Sequence, residues 1–314
     1  MQLAQDHILT VTLNPALDLS ARVDRMQAGP KLRLTAPAWE PGGGGVNVAR
    51  AIHALGGDVL AWVALGGASG AKHLGLLHQQ GIVTHVFDAP GETRQSWAIA
   101  DNDGQQFRLQ LPGDEWPDAL AQQAQNDILA QSKGFVVLSG SQPPGVDADF
   151  AQNLGLQRLI VDTSGPALVR LIEQPLARLR PLVLRLDQAE AEGLAGHTLA
   201  NVEDTVDFAK EHVTRGVAEH VCLARGADGS VLAGGAGVFH CRPPIVPAQS
   251  KVGAGDSFTG AFTLALARGD RPSEALRLGT AAAAAAVMTP GTQLCRREDV
   301  ARLVGECTLY PVGA

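Results

Sequence analysis

Short apolar runs alternate with helix-length segments along almost the whole chain, and several of the helical segments stop at glycine. "HILTVTL" (7–13), "DVLAWVALGG" (58–67), "GFVVLSGS" (134–141), "RLIVDTS" (158–164), "PLVLRLD" (181–187) and "HVCLARG" (220–226) read as buried strands. In "GGGGVNVARAIHALGG" (42–57), Val46, Ala49, Ile52 and Leu55 recur at helical spacing before Gly56-Gly57 ends the run. "AKHLGLLHQQGI" (71–82) and "VEDTVDFAKEHVTRG" (202–216) are further helices. Strands joined through helices require right-handed crossovers, so the expected core is a mostly parallel sheet covered on both faces. A site then belongs at the carboxyl ends of the strands. Asp18, the Ser139–Ser141 loop, Asp162, Asp187 and Arg225 all fall at such ends.

Two stretches break the alternation. Residues 19–40 and 93–111 read as short alternating strands, the second around an Asn-Asp-Gly turn suited to a hairpin. They are expected to form a small antiparallel flap on a single domain covering 1–314. Ala281–Ala286 sit in a helical context, where small side chains suit close packing. The 314 residues suffice for a substantial core, and with aromatics at 4% that core must rest on aliphatic residues.

Charge and cysteine usage exclude several functions. The formal net charge is −7 with no basic stripe, which argues against nucleic acid as a partner. The four cysteines form no C-x-x-C pair and lack histidines at zinc spacing. No basic leader or long apolar span is visible, so a cytoplasmic, membrane-free protein with reduced thiols is expected.

Glycine is concentrated before two helices. Phosphate sites use it because the backbone must approach closely and present N–H groups, with the helix N-terminus adding partial positive charge. Gly42–Gly45 before Val46 has this form, and so has Gly253-Ala254-Gly255 before Asp256. Spacing excludes a P-loop, and G-x-G-x-x-G fails at Asn47 and at Phe258. Asp256 could serve merely as a first-turn helix aspartate, which gains only about 0.3–1 kcal/mol from the dipole. It could equally be a base beside an anion hole, which phosphoryl transfer to an alcohol requires.

"PGGGGVNVARAIHALGG" and "VGAGDSFTGAF", together with "TLNPALD", "SGSQPPGV", "VDTSGPAL" and "GTQLC", resemble the signature regions of the PfkB family of carbohydrate kinases. The resemblance runs in order over nearly the whole chain. It implies the ribokinase-like fold: an α/β three-layer sandwich, a mostly parallel central sheet and a small antiparallel β lid. It also implies ATP-dependent phosphorylation of a sugar phosphate, fructose 6-phosphate first among the candidates. The four-glycine run favours it, since 1-phosphofructokinases and tagatose-6-phosphate kinases typically carry lysine at the third glycine.

By this resemblance Asp256 is the base, with Gly253, Ala254 and Gly255 as the anion hole. Asp18, Gly43, Gly44 and Asn47 hold sugar hydroxyls; Lys31, Arg33, Arg94 and Ser139 hold the substrate's phosphate. The nucleotide falls to Arg185, Asp187, Arg225, Gly226, Gly229, Thr280 and Ala284, and Mg²⁺ to Glu190 through water. Carbonyls around Ser250, Val252, Ala286, Thr289, Gly291 and Gln293 hold a monovalent cation such as K⁺, and the lids pair in a homodimer. The chain departs from the family at "RLDQAE" (185–190), where Lys-Pro-Asn-x-x-Glu is usual, and at Ala224-Arg225-Gly226, where Ser-Leu-Gly is usual. Those departures open nucleotide and metal binding to question, offer Arg225 as a compensating phosphate contact, and motivate one alternative, a sugar-phosphate-binding protein with weak kinase activity.

Overall fold

The computed structural model describes residues 5–176 and 178–312. Its first half runs β1 (Ile8–Thr12), β2 (Ala16–Arg22), β3 (Ala38–Gly42), α1 (Gly44–Ala54), β4 (Leu60–Leu65), α2 (Gly67–Gln79), β5 (Val83–Asp88), β6 (Gln95–Ala100), β7 (Gln106–Gln110), α3 (Asp118–Gln131), β8 (Phe135–Ser139) and α4 (Phe150–Asn153). The second runs β9 (Leu159–Asp162), α5 (Gly165–Glu173), β10 (Val183–Asp187), α6 (Gln188–Ala195), α7 (Val202–Thr214), β11 (His220–Ala224), β12 (Ser230–Gly234), β13 (Gly237–Arg242), α8 (Ala254–Ala267), α9 (Pro272–Val287), α10 (Arg297–Leu303) and β14 (Thr308–Pro311).

Ten strands form one sheet in the order β14-β13-β12-β11-β10-β9-β8-β1-β4-β5. From β5 to β11 neighbours run parallel, as the crossover pattern requires. Beyond β11 the pairing is antiparallel: β11, β12 and β13 are joined by links too short for a crossover, and β14 returns after α8, α9 and α10 to pair antiparallel with β13. Alternate strand residues point to opposite faces. Ile8, Phe135, Val137 and Val183 join the cluster under α1, α8, α9 and α10. Leu9, Val11, Val136, Leu138 and Leu184 join the one under α3 to α7. Among the described residues no helix is long and apolar enough to cross a membrane.

The lid departs from expectation in two ways. It is a four-stranded sheet in the order β3-β2-β6-β7, but its central pair, β2 and β6, is parallel. Only β2·β3 and β6·β7 are antiparallel. Residues 23–37 form no strand. Gly29-Pro30 and Pro37 lie in that stretch, and proline removes the donor a ladder needs. Asp18, expected in a turn after the first strand, lies inside β2 opposite Glu40 and Ser96.

The alanine run serves close packing. Ala281, Ala282, Ala285 and Ala286 are fully buried in α9, which lies against α8. Gly279 of α9 faces the Phe258 ring, and Gly260 of α8 meets Ala51 and the Val48 carbonyl of α1. The three helices are thus brought within touching distance of backbone. Ala285→Leu is expected to cost about 1–3 kcal/mol by overpacking, measured as a lower Tm. Ala283→Leu, on a partly exposed position of the same helix, should change it far less.

Candidate active site

The first glycine cluster ends as a helix N-terminus on a cavity, and Val252, just ahead of the second cluster, lines the same cavity. Gly43 caps α1 at φ 113°, so the helix begins at Gly44, two residues earlier than the spacing suggested. Gly42 has no room for a side chain, because one would run into the Asp18 carboxylate. Gly253 caps α8 at φ 76°, a left-handed conformation that glycine adopts without strain. The first α-helical bond there is Ser257 N–H to the Gly253 carbonyl. The N–H groups of Ala254, Gly255 and Asp256 therefore precede the helix's own acceptors, and no side chain caps them.

The cavity, of about 210 Å³, is lined by Asp18, Gly43, Gly44, Asn47 and Arg94 among others, with Val252 on the α8 side. The lid forms its other wall, where Arg108, Gln106 and Gln110 of β7 share one face by strand parity. Ser139 is buried behind Gly44. Arg94 donates to the carbonyls of Asn14 (3.2 Å) and Leu111 (3.3 Å), and its charge acts on Asp18.

Asp256 is the chemical centre. Asn47 Nδ2 donates to its Oδ2 at 2.9 Å, across the junction of α1 and α8. Burial pushes the Asp256 carboxyl up to about 7, the Asp162 carboxylate adds to the rise, and Asn47, Arg185 and Arg50 oppose it. Burial likewise lifts Asp18 to about 6, against the pull of Arg94. A carboxylate poised near neutrality beside unoccupied N–H donors suits a base for an alcohol whose oxygen attacks an anion bound at the helix end.

Behind the anion hole lies Arg185 of β10. Its guanidinium faces Gly255, where a Cβ would crowd it, and it pairs with Asp162 at 3.3 Å. Asp162 also accepts from the Thr259 hydroxyl at 2.8 Å. Asp187 and Glu190 form a reciprocal capping box at the start of α6. Burial pushes Glu190 up to about 7, with Asp187 and Asp162 adding to it. Gly229 sits on the Cys241 carbonyl, and Thr280, beside the Cys241 thiol, is buried and bonded to the Leu276 carbonyl. Ala284 lies one turn on, also buried. Gly226 opens the turn after β11 with free space around it.

Two expectations fail on this geometry. Arg225 offers no phosphate contact. Its side chain is buried, donating to the carbonyls of Leu199 (3.0 Å) and Ala200 (3.3 Å) and to the Thr205 hydroxyl. The arginine is held by the chain ahead of α7, a partner that lies some twenty residues upstream and leaves no local trace. Lys31 and Arg33 lie in the exposed, strandless stretch 23–37 and do not line the cavity. Of the residues expected around a cation, the Thr289 hydroxyl donates to the carbonyls of Ala286 and Gln293 at 2.7 Å each. Ser250 reaches the Gly291 carbonyl at 2.7 Å, and the Val252 N–H meets the Ser250 hydroxyl. Arg50 and Arg108 were not among the residues expected at the site, and Asp162 was expected there only by its place at a strand end. The parity of Gln106, Arg108 and Gln110, and the three-residue step from Asn47 to Arg50, were the available signals.

An α/β sandwich with an aspartate at a glycine-led helix end, under a β lid, is the architecture of a sugar kinase. The chain belongs to the pfkB family of carbohydrate kinases, whose pattern matches residues 11–299. It is 36% identical over 304 residues to the ATP-dependent 6-phosphofructokinase isozyme 2 of Mycobacterium tuberculosis, covering 94% of this chain and 88% of that one. Over 305 residues it is also 36% identical to the Escherichia coli K12 protein of the same name, covering 94% and 97%. The structure of E. coli phosphofructokinase-2 in complex with potassium matches with a TM-score of 0.89 at 34% identity, over 96% of this chain and 99% of that one.

The raised Asp256 carboxyl has a stability consequence. The folded state holds its proton more tightly than the unfolded chain does, so this group's contribution to stability is full below about pH 4 and is lost as pH rises through about 7. Asp256→Asn should therefore be more stable than the parent at pH 8, with the gain shrinking toward zero near pH 4, as read by urea unfolding at several pH values.

Proposed function

We propose that the protein transfers the γ-phosphoryl group of ATP to the C1 hydroxyl of fructose 6-phosphate, yielding fructose 1,6-bisphosphate. The observation that carries this is Asp256, raised toward neutrality and held by Asn47 at the uncapped start of α8. The names of the relatives at 36% identity support the choice of sugar and donor.

In this reading Asp18, Gly43, Gly44 and Asn47 hold the sugar hydroxyls, and the C1 oxygen faces Asp256. Asp256 takes its proton as that oxygen attacks the γ-phosphorus. The N–H groups at the start of α8 stabilise the transferring charge, with Arg185 behind them. Arg94 and Arg108 supply the cations for the sugar's own phosphate, and Ser139 a hydroxyl. The lid sheet covers the cavity and keeps water from competing as acceptor.

ATP would lie over Arg185, Asp187, Gly226, Gly229, Thr280 and Ala284. Among the described residues no group of three or more His, Cys, Asp or Glu gathers to hold a metal alone. Mg²⁺ carried on the nucleotide needs only one or two protein carboxylates. Glu190 and Asp187 fit that demand, since Glu190 is buried near two acids and a divalent cation would relieve it. Bound there, Mg²⁺ would neutralise charge on the nucleotide's phosphates. The carbonyl cluster of Ala286, Gly291 and Gln293, with Ser250, Val252 and Thr289, is the place for K⁺. Leu34, Trp97, Leu109 and Leu111 are exposed on the lid, apolar surface that pairing of two lids in a homodimer would cover.

The deciding experiment is an assay with Mg-ATP against fructose 6-phosphate, fructose 1-phosphate, tagatose 6-phosphate and ribose, compared by kcat/KM. Fructose 6-phosphate is expected to lead; binding without turnover of any would favour the sugar-phosphate-binding alternative. Asp256→Asn should lower kcat by about 10²–10⁴, the usual worth of a positioned base, with folding intact. Arg94→Ala should chiefly raise KM for the sugar phosphate, and an unchanged KM would remove it from the phosphate contact.

A further inference from the structure

Arg50 lies one turn beyond Asn47 on α1, and none of the catalytic roles above uses it. We propose that Arg50 is a positioning residue that fixes the amide of Asn47 so that its NH₂ faces Asp256, and thereby sets the ionisation of the base. The inference rests on the kinase reading for its kinetic consequences but not for its geometry.

The geometry leaves little freedom. Arg50 Nη1 is 3.0 Å from Asn47 Oδ1. A guanidinium has donors only, so the Asn47 atom facing it must be the carbonyl oxygen. The other end of the amide, the NH₂, is then obliged to point at Asp256, 2.9 Å away. Without Arg50 the amide could turn over and present oxygen to Asp256, an arrangement that only a protonated carboxyl satisfies.

Arg50 is itself locked. Its Nε donates to Gln80 Oε1 at 2.7 Å, its Nη1 also reaches the Pro41 carbonyl at 3.3 Å, and its Nη2 pairs with Glu40 at 3.6 Å. Those partners lie on the lid strand β3 and at the end of α2. One guanidinium therefore joins the lid's root, the second helix and the amide that contacts the base. Three charged side chains act on Asp256 from the elements around it. Asp162 of β9 favours its protonated form; Arg185 of β10 and Arg50 of α1 favour its ionised form. Removing Arg50 takes away one cation directly and loosens the Asn47 contact, and both effects favour protonation.

The test is the titration of Asp256 itself, followed by ¹³C NMR of the aspartate carboxyl carbons and assigned through Asp256→Asn. In Arg50→Met the midpoint is expected to rise by on the order of half a unit or more, and the acid limb of kcat to move to higher pH with it. Arg50→Lys keeps the charge but not the fork, and its midpoint should lie between the two. If Arg50→Met does not fold, Arg50→Lys alone decides, and a midpoint equal to the parent's overturns the proposal. In an Asn47→Ala background the Arg50→Met shift should shrink to what the lost charge alone gives. An unmoved midpoint in Arg50→Met, or an undiminished shift without Asn47, overturns it. The titration needs no turnover. High activity in Asp256→Asn would sink the base assignment, whereas an unmoved titration with inactive Asp256→Asn would sink only the role of Arg50.

Discussion

The hydrogen bond from Asn47 to Asp256 joins residues far apart in sequence, and much of the molecule is arranged so that it can form. It requires the N-termini of α1 and α8 to converge. That convergence needs the two helices in near-backbone contact, which Gly260 permits against Ala51 and Val48. It also needs α8 pressed onto the sheet, which the buried alanines of α9 allow by presenting no bulk. The glycine loops do the rest: positive φ at Gly43 and Gly253 turns the chain into both helices, so that Asn47 in the cavity wall meets Asp256. Chemistry and packing are here the same problem, since a bulkier α8–α9 seam would pull the base from its partner.

The electrostatics of the site run against the fold's own preference. Asp18, Asp256 and Glu190 are each lifted by burial, and their neighbours include further acids as well as arginines. A chain selected only for stability would not bury three such carboxyls. Their cost is intelligible if ligands complete the charge balance: hydroxyls and a transferable proton near Asp256, a cation near Glu190. Arg185 illustrates the balance. Placed against Gly255 and Asp162, it brings a rigid, permanently charged fork close to the start of α8. Asp187, the accompanying departure, is engaged in capping α6, so its extra charge is partly satisfied by backbone N–H donors.

What the sequence disclosed follows the range of the forces involved. The parallel sheet, the helix beginning near residue 44, the alanine helix and the helix start that carries Asp256 were legible because they rest on periodicity and on glycine at a helix start, which are local. The lid's central pairing was not, because β2 and β6 meet through the core rather than through a turn. Nor was the burial of Arg225, whose partners Leu199, Ala200 and Thr205 belong to a different element. Lys31 and Arg33 are a related case. Their charge suited a phosphate, but proline and glycine in 23–37 keep that stretch out of the sheet and away from the cavity. Arg108 was within reach of strand parity, once β7 was granted.

The parallel β2–β6 pair carries a consequence for how the protein is made. Leu17 is registered with Gln95, and between them the chain must complete α1, β4, α2 and β5. The lid therefore cannot nucleate as an independent hairpin. It closes only after the first crossover units have docked, and loop-closure entropy delays contacts of such separation. The cavity walled by that lid also needs Val252 and Thr292, so it is complete only when nearly the whole chain is made. A chain still emerging in synthesis would have all four lid strands well before the cavity they cover could be closed from its other side.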